Sequence, residues 1–375
     1  MPFTPQHPSD PPSEEATRQR TTERDLARTE RARVVRRQRL LALGTVVLVV
    51  AAVILVATSA ITPAPRRHGG AAPPMPSTSA ARSPGARKPS SFAVGLRVIR
   101  LVDTSRTIEL PSGEAEPRTL LTYVRYPTLE PSQGTDVRDA PAARTDGPFP
   151  LVVFGHGFAL TPGVYASMLR SWARAGYVVA APAFPFENAN APGGPDESDL
   201  ANQPGDMRFV IDRLLAASSA SSGPFAGLID PSRIAVAGHS DGGDTALAVA
   251  YDRNYRDPRV SAAVIMSGAE MPGVGGFAFP RGSPPLLAIQ GTADTVNPPG
   301  STHAFFDVAQ RPKYLLSLPG AKHLPPYSTQ QPQLGIVERV TIAFLDGYLK
   351  HMPAALQRIS SLGSVPKAAS LVSEP

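Results

Sequence analysis

The 375-residue chain predicts an α/β domain with a mostly parallel central sheet covered by helices on both faces. Three observations lead there. Short, nearly continuous apolar runs recur from residue 149 to residue 318, as strands buried on both faces do. Stretches with helical apolar spacing separate them. One apolar run, ending at Ala237, then breaks through a Gly-x-Ser-x-Gly turn centred on Ser240 into the small-residue stretch 243–250.

The elements follow in order. Residues 96–102 and 119–126 read as the first strands, a hairpin-like edge. Residues 149–154 form a buried strand, 165–175 an amphipathic helix, and 177–181 the next strand. Apolar positions in 207–215 are spaced for one helix face. The strand 234–237 feeds the turn at Ser240 and the helix after it. Strands at 260–266, 286–289 and 313–318 alternate with a helix through 304–308, and a last helix runs near 336–349. Residues 353–375 read as a peripheral tail on which Leu356 and Ile359 are the docking candidates.

The formal charge is +6, and its distribution argues against nucleic-acid binding. Residues 1–39 carry nine Arg against six acids, 61–90 carry five bases and no acid, and 91–375 hold 23 bases against 25 acids. The excess therefore lies outside the expected folded domain. Residues 40–57 are apolar and no charge appears until Arg66, which suffices for a membrane-spanning helix of about 20 residues. The Arg cluster at 31–39 predicts that the N-terminus stays on the cytoplasmic side. The expected organisation is a basic segment at 1–39, a transmembrane helix or signal anchor at 40–61, a Pro/Ala/Ser-rich linker at 62–91, a catalytic domain at 92–352 and the tail at 353–375. A cleaved signal peptide is the alternative, since Thr58, Ser59 and Ala60 are small residues suited to cleavage. Cysteine is absent, which excludes disulfides and thiolate chemistry.

Ser240 is the candidate nucleophile. A tight strand-to-helix turn lifts its hydroxyl above the sheet, and Gly238 and Gly242 provide clearance. The alternative is a helix N-cap serine. A serine hydroxyl is weakly nucleophilic, so a neutral imidazole must take its proton. His323, in a loop directly after the strand 313–318, is the candidate base. His303 reads as a packing or exposed side chain instead. Asp294, in the turn after the strand 286–289, is a candidate for the supporting carboxylate. Glu270, after the preceding strand, is its rival.

This order of elements and motifs resembles the α/β-hydrolase superfamily over roughly residues 95–351. More narrowly it is similar to the branch of dienelactone-hydrolase-like enzymes, bacterial cutinases or polyester hydrolases, chlorophyllase and platelet-activating-factor acetylhydrolase-type esterases. The resemblance implies an α/β-hydrolase fold without a large lid domain. It puts Asp294 ahead of Glu270, because residues 291–296 resemble the superfamily's acid loop. It also implies an oxyanion hole built from the backbone N–H groups of Phe158 and Asp241. His156 and His239 are expected to shape these loops. Asp206 and Arg208 read as a structural ion pair at the start of a helix, outside the site.

The function implied is acyl transfer from a small or polymeric carboxylic ester to water, by a membrane-anchored, bacterial, extracytoplasmic esterase of cutinase or lipase type. Secretion after signal cleavage is the alternative location. Phe158, His239, Met271, Phe277 and Phe279 are candidates to border the substrate, although the aromatic ones equally suit loop packing. No organic cofactor, metal or obligate protein partner is implied, and without His-Glu-x-x-His spacing a zinc hydrolase is a poor reading. A serine peptidase or amidase with the same triad, and a non-catalytic envelope protein of the same fold, are the other readings.

Overall fold

Strand side chains alternate between two buried faces, and this sorts the core. In the computed structural model, which describes residues 91–131, 134–271 and 276–375, the central strands are β4 (Phe149–Gly155), β5 (Val178–Ala183), β6 (Ile229–His239), β7 (Val260–Met266), β8 (Leu286–Gly291) and β9 (Lys313–Leu318). Leu151, Val153, Ile234, Val236, Ala263, Ile265, Leu286 and Ala288 point to one face. There they meet α2 (Gln203–Ser219), α3 (Asp241–Tyr251) and α4 (Pro299–Val308) through Met207, Ile211, Leu247 and Phe305. The opposite face receives α1 (Ala166–Arg174), where Trp172 lies 6.1 Å from Phe154 ring to ring, and α6 (Gln333–Leu349), which follows the one-turn α5 (Pro325–Ser328) and whose Thr341 accepts from Trp172 Nε1 at 2.8 Å. Burial on both sides explains why these strands read as continuous apolar runs. Each fully buried Val, Leu or Ile contributes about 1.5–3 kcal/mol.

The six central strands run parallel in the order β5-β4-β6-β7-β8-β9. On one edge, β2 (Ala115–Thr128) and β1 (Ala93–Glu109) form the expected hairpin, with the three-residue β3 (Asp136–Arg138) outermost. β2 pairs antiparallel with β5. The mostly parallel sheet and its two helical layers agree with the sequence reading.

Two expectations change. Asp206 does not pair with Arg208, which is exposed. It is fully buried, accepts a hydrogen bond from Arg118 (2.6 Å) and forms an ion pair with Arg106 (2.9 Å), while Arg118 also takes Asp199 in a two-pronged contact at 2.9 and 2.6 Å. Positions two apart on a helix do not face one another, so the partners come from the hairpin instead. Residues 353–375 are not a peripheral tail. They form α7 (Pro353–Gly363) and β10 (Ser370–Glu374), which pairs antiparallel with β9 as the last strand of the sheet. Ala355 and Ile359 are buried, and Leu356 rests on Gly347 of α6 so closely that any side chain there would collide with it.

The basic segment 1–39, the apolar stretch 40–61 and nearly all of the linker 62–91 lie outside the described residues. Among the described residues, no helix is long and apolar enough to cross a membrane.

Candidate active site

The turn between β6 and α3 forces Ser240 into φ 55°, ψ −127°, a conformation that costs a non-glycine residue about 1–3 kcal/mol. The surrounding backbone holds it there. Ser240 N–H donates to the Met266 carbonyl at 3.0 Å, and the Ser240 carbonyl accepts the first helical bond, from Asp244 N–H at 2.9 Å. A side chain at Gly238 would collide with the Gly242 carbonyl, and one at Gly242 with the backbone of Gly155. Ser240 sits at the N-cap position, but its hydroxyl makes no capping bond, which removes the structural reason for a serine here.

His323 and Asp294 meet as a pair. Asp294 Oδ2 accepts from His323 Nδ1 at 2.8 Å, and Oδ1 accepts from the N–H groups of Val296 (2.9 Å) and Asn297 (3.0 Å). Burial pushes the Asp294 carboxyl up, yet the His323 hydrogen bond and charge outweigh it and hold the group below its ordinary value. The carboxylate fixes the proton on Nδ1 and leaves His323 Nε2 as the proton acceptor. The rival acid, Glu270, is exposed and takes no part in this pair.

His239, beside Ser240, links the loops. Its ring is fully buried, 4.6 Å from the His323 ring and 4.9 Å from that of Tyr327. Burial, then the nearby His323, drives its pKa well down, so the ring is neutral. A carbonyl only accepts, so His239 Nε2–H donates to the His323 carbonyl at 2.9 Å and Nδ1 accepts from Tyr165 OH at 2.8 Å. Tyr165 OH in turn accepts from Gly157 N–H at 3.2 Å. A continuous chain of bonds thus runs from the loop after β4, through the elbow, to the backbone of the histidine loop. His239 is a spacer in this chain and lines no open surface.

The loop after β4 is seated on the elbow. A methyl group on Gly157 would lie 3.1 Å from Ser240 Cβ. His156, neutral because burial lowers its pKa to about 4, donates from Nδ1 to the Gly157 carbonyl at 2.9 Å and accepts at Nε2 from Phe184 N–H at 3.0 Å. Ala159 N–H goes to the Glu187 carbonyl at 2.8 Å. These contacts pin both chain neighbours of Phe158, and Asp241 is the first residue of α3, where backbone N–H groups lack helical partners.

The candidate substrate border fares differently. Phe158 is half-buried on the loop. Met271 is buried against Leu200 and Ala248, with Phe277 packed on the same cluster. Phe279 stacks on Tyr251 at 4.8 Å inside the main core. Apolar character signals burial equally in a cleft or a core, and these three serve packing. Tyr165 and Tyr327 were missed because their roles depend on contacts 74 and 60 residues away, with His239 and Ser267.

A family model described as Chlorophyllase matches residues 139–270. That span covers the loop after β4 and the Ser240 elbow but stops before Asp294 and His323. Among solved structures, the chain is similar to a ferulic acid esterase from Streptomyces cinnamoneus, with 23% identity and a TM-score of 0.52 over 73% of this chain and 94% of that one. The chain has the α/β-hydrolase fold. No curated protein matches the sequence. Because 1107 solved chains share the architecture, the chemistry has to be argued from the site.

Proposed function

We propose that the protein hydrolyses carboxylic esters through an acyl-enzyme on Ser240. The observation that carries this reading is the His323–Asp294 pair, held by His239 beside a serine in a strained elbow. His323 Nε2 takes the Ser240 proton as Oγ attacks the ester carbonyl. Asp294 stabilises the imidazolium, and the N–H groups of Phe158 and Asp241 receive the oxyanion. The imidazolium then protonates the leaving alcohol, and a second cycle with water releases the acid. No step in this scheme calls on a cofactor.

The similarity to a chlorophyllase model and to a ferulic acid esterase supports esters over amides as the substrate class. Met271 and Phe279 are buried in the core and half-buried Phe277 packs on the same clusters, so Phe158 is the candidate aromatic side chain left to border the acyl group. The apolar segment 40–61 and its Arg-rich flank support anchorage with the domain on the outer side of a membrane.

Hydrolysis of short- and medium-chain nitrophenyl esters by the full chain, beside Ser240→Ala, tests the chemistry. The variant is expected to lose roughly 10⁴–10⁶-fold in kcat. Equal rates, or no turnover together with no labelling by a serine-directed phosphonate, would sink the proposal.

A further inference from the structure

The loop after β5 carries an acid that this scheme leaves unused. Glu187 is fully buried, and no hydrogen-bond donor closes on either of its carboxylate oxygens. Its carbonyl accepts from Ala159 N–H, so the residue is joined to the loop that presents Phe158. The charges that act on it most strongly are negative. Asp241, at the start of α3, is the strongest, followed by Asp199 and Glu197 from the turn at 197–202. Asp199 is already engaged by Arg118. From α2 the neighbour is Gln203, whose Oε1 accepts from Thr245 at 2.8 Å and whose amide nitrogen draws the Glu187 pKa down without closing a bond on it, an effect that burial and the Asp241 charge outweigh. The Tyr165 hydroxyl also feels the Asp241 charge and is kept protonated chiefly by burial. No cationic side chain pairs with Glu187 among the described residues. An ionised, unpaired carboxylate is costly in such a place, and buried carboxyl groups set together resolve the conflict by keeping a proton. A metal ion would serve as well, but among the described residues no three His, Cys, Asp or Glu side chains converge to hold one.

We propose that Glu187 is a positioning residue that keeps its proton and donates it to the Asp241 carboxylate, locking the Phe158 loop to the residue that supplies the second oxyanion N–H. The catalytic half of this statement rests on the serine-hydrolase reading; the retained proton does not. Burial, then the Asp241 charge, pushes the Glu187 carboxyl up to about 10. Ionisation there sets two negative charges against one another and loosens the oxyanion hole, so activity falls on the alkaline side.

The test uses the full chain with Glu187→Gln, which keeps the shape and an N–H donor but cannot ionise, and Glu187→Ala. Alanine is expected to lower kcat/KM on the order of 100-fold through misplaced oxyanion donors, and glutamine to recover most of that loss. The alkaline limb of the wild-type pH profile should vanish in the glutamine variant. A second readout needs no activity. The folded state keeps a proton that the unfolded chain releases near 4.5, so wild-type stability falls as pH rises from about 4.5 toward 10. Thermal midpoints of Glu187→Gln and wild type should therefore agree near pH 4 and separate upward to pH 9, with the variant the more stable. Parallel curves would overturn the retained proton. Diverging curves with an unchanged alkaline limb in active protein would overturn the positioning role. Diverging curves in a protein that turns over no ester would uphold the proton and reject the hydrolase reading. If the alanine variant does not fold, the glutamine comparison still decides.

Discussion

The bond chain through Tyr165 makes a quantitative prediction. Tyr165→Phe deletes one oxygen without opening a cavity larger than that atom. It orphans two fully buried groups, His239 Nδ1, held at 2.8 Å, and Gly157 N–H, held at 3.2 Å. A buried polar group left unpaired costs about 1–3 kcal/mol, so the variant should lose roughly 2–6 kcal/mol. Tyr251→Phe is the control, because its hydroxyl is equally buried but serves one principal acceptor, the Pro284 carbonyl at 2.9 Å. It should lose about 1 kcal/mol. Urea unfolding measures both, read as a shift of midpoint at constant slope. The tyrosine at 165 also steadies His239, which grips the histidine loop, so kcat should fall in this variant while KM holds. A displacement of about 1 Å at such a site costs on the order of 100-fold. Equal unfolding free energies for the two variants, with kcat unchanged by Tyr165→Phe, would refute the claim that this hydroxyl couples the two loops.

Two other perturbations follow from the same geometry. Asp294→Asn should reduce kcat by about 10⁴-fold in ester turnover, because the wrong tautomer is then presented to Ser240. Its stability has a definite pH signature as well. The Asp294 carboxyl is lowered in the folded state, so its contribution is present above the unfolded carboxylate pKa of about 3.9 and is lost as pH falls through the lower folded value. The gap between wild type and variant in chemical denaturation should therefore be full at pH 7 and close in strong acid. Ile359→Ala, in the helix that completes the C-terminal region, should cost about 2–5 kcal/mol by the same measurement, since the side chain is 1% exposed. A loss below 0.5 kcal/mol, the range usual for surface changes, would show that α7 is a dispensable appendage.

Much of the architecture was legible because the central strands are buried on both faces, which writes them as unbroken apolar runs. The site was legible where its geometry demands special residues in one short stretch. The glycines around Ser240 are required by the elbow itself, and Asp294 and His323 each stand immediately beyond a strand. What escaped the sequence depends on partners distant along the chain. Nothing near Arg118 announces that Asp199 and Asp206 will surround it, and nothing near Glu187 announces Asp241. Met271, Phe277 and Phe279 were ambiguous for a different reason, since a cleft wall and a core demand the same apolar chemistry. The pairing of Asp206 with Arg208 was the avoidable error, because the spacing of two is wrong for a shared helix face.

The C-terminal strand also bears on how copies of this protein behave toward one another. β9 is an apolar strand, nearly all of it buried, and without a neighbour its outer rank of N–H and C=O groups would offer a template for intermolecular pairing. β10 occupies that rank and passes the border of the sheet to a five-residue strand bearing Ser370, Ser373 and Glu374, the last of which pairs with Arg311 at 3.2 Å. Twenty-odd residues at the end of the chain thus act as a guard against self-association as well as a source of stability. Clipping them would expose a sticky border before it exposed the core.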